Sequence, residues 1–84
     1  MSEPPLRQVQ VFGTGCANCR RTVQLIETAA SASGVPIALT KVERIEDIVA
    51  AGVMSTPAVA VDGRIVHAGG IPTREAIAAW LGLG

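Results

Sequence analysis

The sequence predicts an α/β domain: a mixed four-stranded sheet with flanking helices, in the order βαβαββα. Period-two alternation at Arg7–Phe12 gives way, across a glycine-rich break, to a helical period, and a second strand-to-helix pair follows. The dipeptide Asp62-Gly63, which tolerates the positive φ angles of a type I′ turn, then sits between two short apolar runs and signals a hairpin ahead of a last helix.

In chain order, residues 1–6 form a proline-containing tail and residues 7–84 a single domain. The first strand is RQVQVF, with Val9 and Val11 alternating against polar neighbours. Gly13, Thr14 and Gly15 break it, and a helix runs from Cys16 until Gly34 supplies a stop. Val35 to Val42 is apolar and β-branched enough for a second strand. Ile45, Ile48 and Val49 lie at helical spacing in a short helix closed by Gly52. Ala58 to Val61 and Arg64 to Ala68 are the hairpin strands, and Thr73 caps a final helix whose Ile77, Trp80 and Leu81 share one apolar face. A right-handed crossover makes the first two strands parallel, while the hairpin adds antiparallel ones.

Composition removes several function classes. The chain of 84 residues carries seven basic and seven acidic side chains with no block of like charge, which favours neither nucleic acid nor an anionic membrane surface. The opening MSEPPLRQ has neither a basic n-region nor an apolar h-region, and no apolar run approaches the roughly 20 residues of a membrane span. A cytoplasmic protein acting as a monomer is therefore expected. In a reducing compartment the only two cysteines, Cys16 and Cys19 in GTGCANC, point to reversible redox chemistry or metal binding rather than to a permanent bridge.

The helix register separates the two thiols. Cys19, Val23, Ile26 and Ala30 are spaced i, i+4, i+7 and i+11, one buried stripe, while Arg20, Gln24, Glu27 and Ser31 trace the opposite, solvated face. Cys16 falls at the first turn, where unpaired backbone N–H groups and the positive end of the helix dipole favour a thiolate. An exposed low-pKa thiol followed by a sheltered one is what thiol–disulfide exchange requires: Cys16 attacks a substrate disulfide, and Cys19 releases the product.

This arrangement, together with Ser55-Thr56-Pro57 ahead of the hairpin, resembles the thioredoxin-like superfamily, in particular its glutaredoxin-sized redox-active disulfide proteins, from Arg7 to Leu81. The resemblance implies a thioredoxin-like, glutaredoxin-like fold and a dithiol–disulfide oxidoreductase working without a bound cofactor. It makes Pro57 a cis-proline lying against the cysteines and gives the Thr56 backbone the task of holding an extended substrate segment. Gly15, Ala17 and Asn18 join them in the docking surface. The partners implied are a disulfide-containing protein or small molecule as substrate and, upstream, a reductase or a glutathione system. Departures from the family pattern are equally visible. Ala17-Asn18 replaces the usual dipeptides between the cysteines, Ile71-Pro72-Thr73-Arg74 follows Gly69-Gly70 where acidic residues stand in glutaredoxins, and the first strand lacks the acidic residue that lies beneath the buried cysteine in thioredoxins.

The alternative is a non-enzymatic thiol module that binds a soft, copper-type metal ion or a partner protein through the same loop. GTGCANC is superficially similar to the loop of heavy-metal-associated domains, but those run βαββαβ and end in a strand, whereas this chain ends in a helical pattern. A closed zinc site needs four ligands, and only His67 remains among the strong donors, so no metal is assigned. His67 reads as an ordinary strand residue, Arg20 and Arg21 as solvated charge with Arg20 nearer the thiols, and Trp80 as a core anchor. Met54 either lines an apolar groove around Cys16 or fills a gap where helix meets loop.

Overall fold

The computed structural model describes residues 6–82. Residues 1–5, most of the tail assigned to residues 1–6, and residues 83–84 lie outside the described residues. The elements are β1 (Arg7–Phe12), α1 (Ala17–Ser33), β2 (Ile37–Val42), α2 (Ile45–Ala50), β3 (Ala58–Val61), β4 (Arg64–Ala68) and α3 (Arg74–Trp80), the βαβαββα order expected. The sheet runs β2-β1-β3-β4, with β1 parallel to β2 and antiparallel to β3, and β4 antiparallel to β3.

Alternation along β1 serves both faces of the sheet. Val9 and Val11 join Val59 and Val61 beneath α1 and α3, where Val23, Ile26, Ala30, Ile77 and Leu81 complete the larger core cluster. Phe12, at the opposite parity, packs with Ala58, Ala60 and Ile48 beneath α2. Burying a side chain such as Ile26 or Ile77 contributes about 1.5–3 kcal/mol, so the larger cluster carries most of the stability.

Local chemistry sets the element ends. Asp62 (φ 52) and Gly63 (φ 83) make the left-handed turn of the hairpin, and Asp62 also ties it to β1: its carboxylate accepts the Gln8 N–H at 2.9 Å and pairs with Arg7 at 3.5 Å. Thr73 caps α3 by accepting the Ala76 N–H at 3.1 Å. Gly34, at φ 70, closes α1 in the left-handed conformation. The second strand starts at Ile37 rather than Val35, because the Val35 N–H is committed to Ala30 O at 3.0 Å and Pro36 has no N–H to donate. In α2 only Ile48 is buried, while Ile45 and Val49 remain exposed: a helix of six residues rests one side chain on the small outer cluster.

Candidate functional site

The site is built where β1 hands over to α1. The ladder ends at Gly13, whose N–H donates to Val42 O at 3.0 Å, and two residues later the chain turns into the helix through Gly15 at φ 86. Cys16 is the N-cap, in an extended conformation, in the place where a serine, threonine or aspartate usually supplies an oxygen. Its sulfur accepts the Cys19 N–H at 3.4 Å, and its carbonyl accepts the Arg20 N–H at 3.0 Å. A thiolate is a far better acceptor than a thiol, so the capping geometry itself favours ionisation.

The cysteines differ as the helix register requires. Cys16 is exposed and Cys19 buried, with their sulfurs 2.8 Å apart. The Cys16 thiol is pulled below its ordinary value, first by the hydrogen bond from the Cys19 thiol and then by the Cys19 backbone N–H. Burial pushes the Cys19 thiol up, and its hydrogen bond to Cys16 adds to the rise. The two sulfurs are thereby set apart, Cys16 shifted towards the thiolate and Cys19 towards the thiol, the asymmetry that exchange chemistry needs.

Gly13 has a role the sequence did not disclose. Its φ is not among the positive values, so conformational freedom is not the reason for a glycine. A Cβ there would collide with the Cys19 sulfur, and it would lie 3.9 Å from Thr56 Cβ. The missing side chain is the space into which Cys19 packs, and a glycine at the end of a strand was the only available signal.

The other residues singled out earlier fall around this point. Ala17 and Asn18 are exposed on the first turn, and Asn18 O accepts the Thr22 hydroxyl at 2.8 Å. Arg20 donates to Gly15 O at 2.8 Å and steadies the glycine loop. The Thr56–Pro57 peptide bond is cis, Pro57 is buried, Thr56 is exposed, and Pro57 O accepts the Gly69 N–H at 2.9 Å. Met54 is 94% exposed, so it fills no gap between helix and loop. His67 is half-buried on β4, 2.9 Å from Gly70 O through Nε2 and 5.7 Å, ring to ring, from Trp80, which packs against the larger core. Glu27 is exposed, as its helix face requires, yet it also stands on the wall of a cleft that reaches Cys19. Among the described residues no three histidine, cysteine or acidic side chains converge on a metal-sized point.

Residues 7–82 match the profile of the thioredoxin domain. The chain belongs to the thioredoxin domain family. It is 31% identical over 72 residues to a thioredoxin of Methanothermobacter thermautotrophicus, covering 86% of this chain and 94% of that protein. It is 38% identical over 69 residues to a thioredoxin of Methanocaldococcus jannaschii, covering 82% and 79%. A solved structure, the arsenical resistance operon trans-acting repressor of Bacteroides vulgatus, superposes with a TM-score of 0.56 over 98% of each chain at 15% identity, a likeness of fold alone. With family and cysteine pair together, this is a thioredoxin-like small redox protein, a thiol–disulfide oxidoreductase in the general sense. No described helix is long and apolar enough to cross a membrane.

Proposed function

We propose that the protein exchanges a Cys16–Cys19 dithiol for the disulfide of a protein or small-molecule substrate, in the reducing environment of the cytoplasm. The Cys16 thiolate attacks one substrate sulfur and expels the other as a thiolate, which takes a proton from solvent. The Cys19 sulfur, on losing its proton, then attacks Cys16 in the mixed disulfide. The second substrate thiol leaves, and the Cys16–Cys19 disulfide remains to be reduced by two electrons from a reductase or a low-molecular-weight thiol system. Thr56 and Pro57, with Gly15, Ala17 and Asn18, form the surface on which the substrate docks. The observation that carries this reading is the 2.8 Å approach of an exposed sulfur, whose pKa is lowered, to a buried one, whose pKa is raised, at a helix start.

The test is an equilibrium titration of metal-free protein through thiol–disulfide buffers, with free thiols alkylated and the products weighed. The expected result is a single cooperative loss of both alkylation sites as the Cys16–Cys19 disulfide forms. Thiols that stay free under strongly oxidising conditions, or that oxidise only between molecules, would sink the proposal. In parallel, Cys19→Ser should trap a mixed disulfide on Cys16 while Cys16→Ser stays inert. Equal behaviour of the two variants would contradict the roles assigned.

A further inference from the structure

α1 and α3 pack on the same core cluster, and a groove of about 600 Å³ runs between them. From α1 it takes Arg21, Leu25, Thr28 and Ala32, spaced i, i+4, i+7 and i+11 and so aligned along one face of the helix. From α3 it takes Arg74 and Ile77, one turn apart. The floor is apolar, with Ile77 buried and Leu25 half-buried against the larger cluster, whereas both arginines are exposed on the rim. Among the described residues neither Arg21 nor Arg74 forms an ion pair, and the one carboxylate that reaches the groove is that of Glu27. None of Gly15, Cys16, Ala17, Asn18, Thr56 and Pro57 lines it, so it is separate from the surface around the cysteines.

Shape and charge together choose an occupant. A small ligand is held by burying roughly 70–90% of its surface, and a groove whose Arg21, Thr28, Ala32 and Arg74 all stand in solvent cannot enclose one. A length of chain, which needs contact along one side only, fits instead. A second copy of this chain is excluded by charge: a two-fold dimer sets a patch against itself, and here that would bring two pairs of guanidinium groups together. An unpaired guanidinium is matched by a carboxylate, which accepts two parallel N–H bonds from it. We propose that this groove docks an acidic segment, with an apolar side chain among its carboxylates, of the protein whose disulfide Cys16 attacks. The inference rests on the exchange function proposed above and names the class of its protein substrates. Arg21 follows Cys16 by five residues, about 7.5 Å along a helix axis, a span that two or three residues of extended chain cover. Carboxylates seated on Arg21 and Arg74 therefore leave a nearby substrate disulfide within reach of the Cys16 sulfur.

The experiment compares three short peptides, each carrying one cysteine as its mixed disulfide with 2-mercaptoethanol and, a few residues away, a leucine between aspartates, between serines or between lysines. Reduced protein is mixed with each, and every rate is divided by that of dithiothreitol with the same peptide, which removes the effect of the flanking charges on the disulfide itself. At low salt the aspartate peptide should react about fivefold faster than the serine peptide and the lysine peptide more slowly than both, the margin that a pair of exposed ionic contacts supports. The margin should shrink as salt is raised. Arg21→Glu and Arg74→Glu should each turn the preference towards the lysine peptide, while Arg64→Glu, at an exposed position of β4, should leave the order unchanged. Serine in place of the leucine should slow the aspartate peptide. A fluorescent aspartate peptide without cysteine should bind the reduced protein, read by anisotropy, and citrate should displace it no better than chloride at equal ionic strength. Equal corrected rates, loss of the order in Arg64→Glu as well, indifference to the leucine, or specific displacement by citrate would each overturn the inference. Its failure is distinguishable from that of the parent reading. A protein that reduces the serine peptide as fast as the aspartate peptide loses only this groove, whereas one that binds the fluorescent peptide but reduces none of the three loses the exchange reading instead.

Discussion

The two ends of α1 meet the same physical demand with different chemistry. Each terminus leaves backbone groups without helical partners. At the C-terminal end Gly34 adopts φ 70 and its N–H returns to Ala30 O and Ser31 O, a closure made of backbone alone. At the N-terminal end the cap is a cysteine sulfur that accepts the Cys19 N–H at 3.4 Å and lies 2.8 Å from a second sulfur. The first arrangement does nothing but stop a helix. The second stops a helix with a group that can leave its post, because sulfur that caps as a thiolate can also bond covalently to another sulfur. A helix end becomes reactive when the capping atom is also a nucleophile and a buried neighbour stands ready to replace its partner.

The contrast is broken most completely by Cys16→Ser. The hydroxyl is an accepted N-cap, so α1 should stay folded by circular dichroism while disulfide reduction falls to the uncatalysed rate. Gly13→Ala should come next. It displaces the Cys19 sulfur, slows the resolving step and lets a mixed disulfide on Cys16 accumulate, visible by mass spectrometry; normal turnover with no trapped intermediate would refute the spacing role of Gly13. Cys19→Ala removes the first cause of the depressed Cys16 pKa. Because a lowered pKa means that thiolate appears at lower pH, the rise of the iodoacetamide reaction rate with pH should move to higher pH in this variant than in a wild-type protein kept reduced. An unmoved midpoint would leave the helix end as the sole cause. The smallest effect is expected at the other end: Gly34→Ala forces a Cβ into the left-handed region and should cost about 1–2 kcal/mol in denaturant unfolding, with exchange activity intact. Activity lost along with stability there would mean that the two ends are not independent.

Much of this was legible along the chain because the signals are local. The alternation of Val9 and Val11, the stripe Cys19-Val23-Ile26-Ala30, the Asp62-Gly63 turn and the Thr73 cap each need only a few consecutive residues to act, and each appears in the structure where it was expected. One boundary failed for want of context: Val35 carries a strand-forming side chain, but its N–H is taken by the helix cap. The spacing of Ile45, Ile48 and Val49 does form the short helix expected, and only Ile48 is buried in it, because a six-residue helix over a small cluster has room for one side chain. The place of Met54 in the sequence suits a groove-liner or a filler, and its near-complete exposure excludes the second role.

By itself, the sequence determined the order of the elements, the ends of most of them, and which of its two thiols faces water, since periodicity, turn conformation and helix capping are properties of short segments. Tertiary structure alone decided that β3 joins β1 to make the sheet order β2-β1-β3-β4, that Thr56 stands over Gly13, and that Lys41 and Glu43 border the cleft at Cys19. Those are meetings of residues far apart in the chain. They arise only when two faces of a sheet are covered at once and the side chains left at its edge find each other, a condition that no stretch of sequence states.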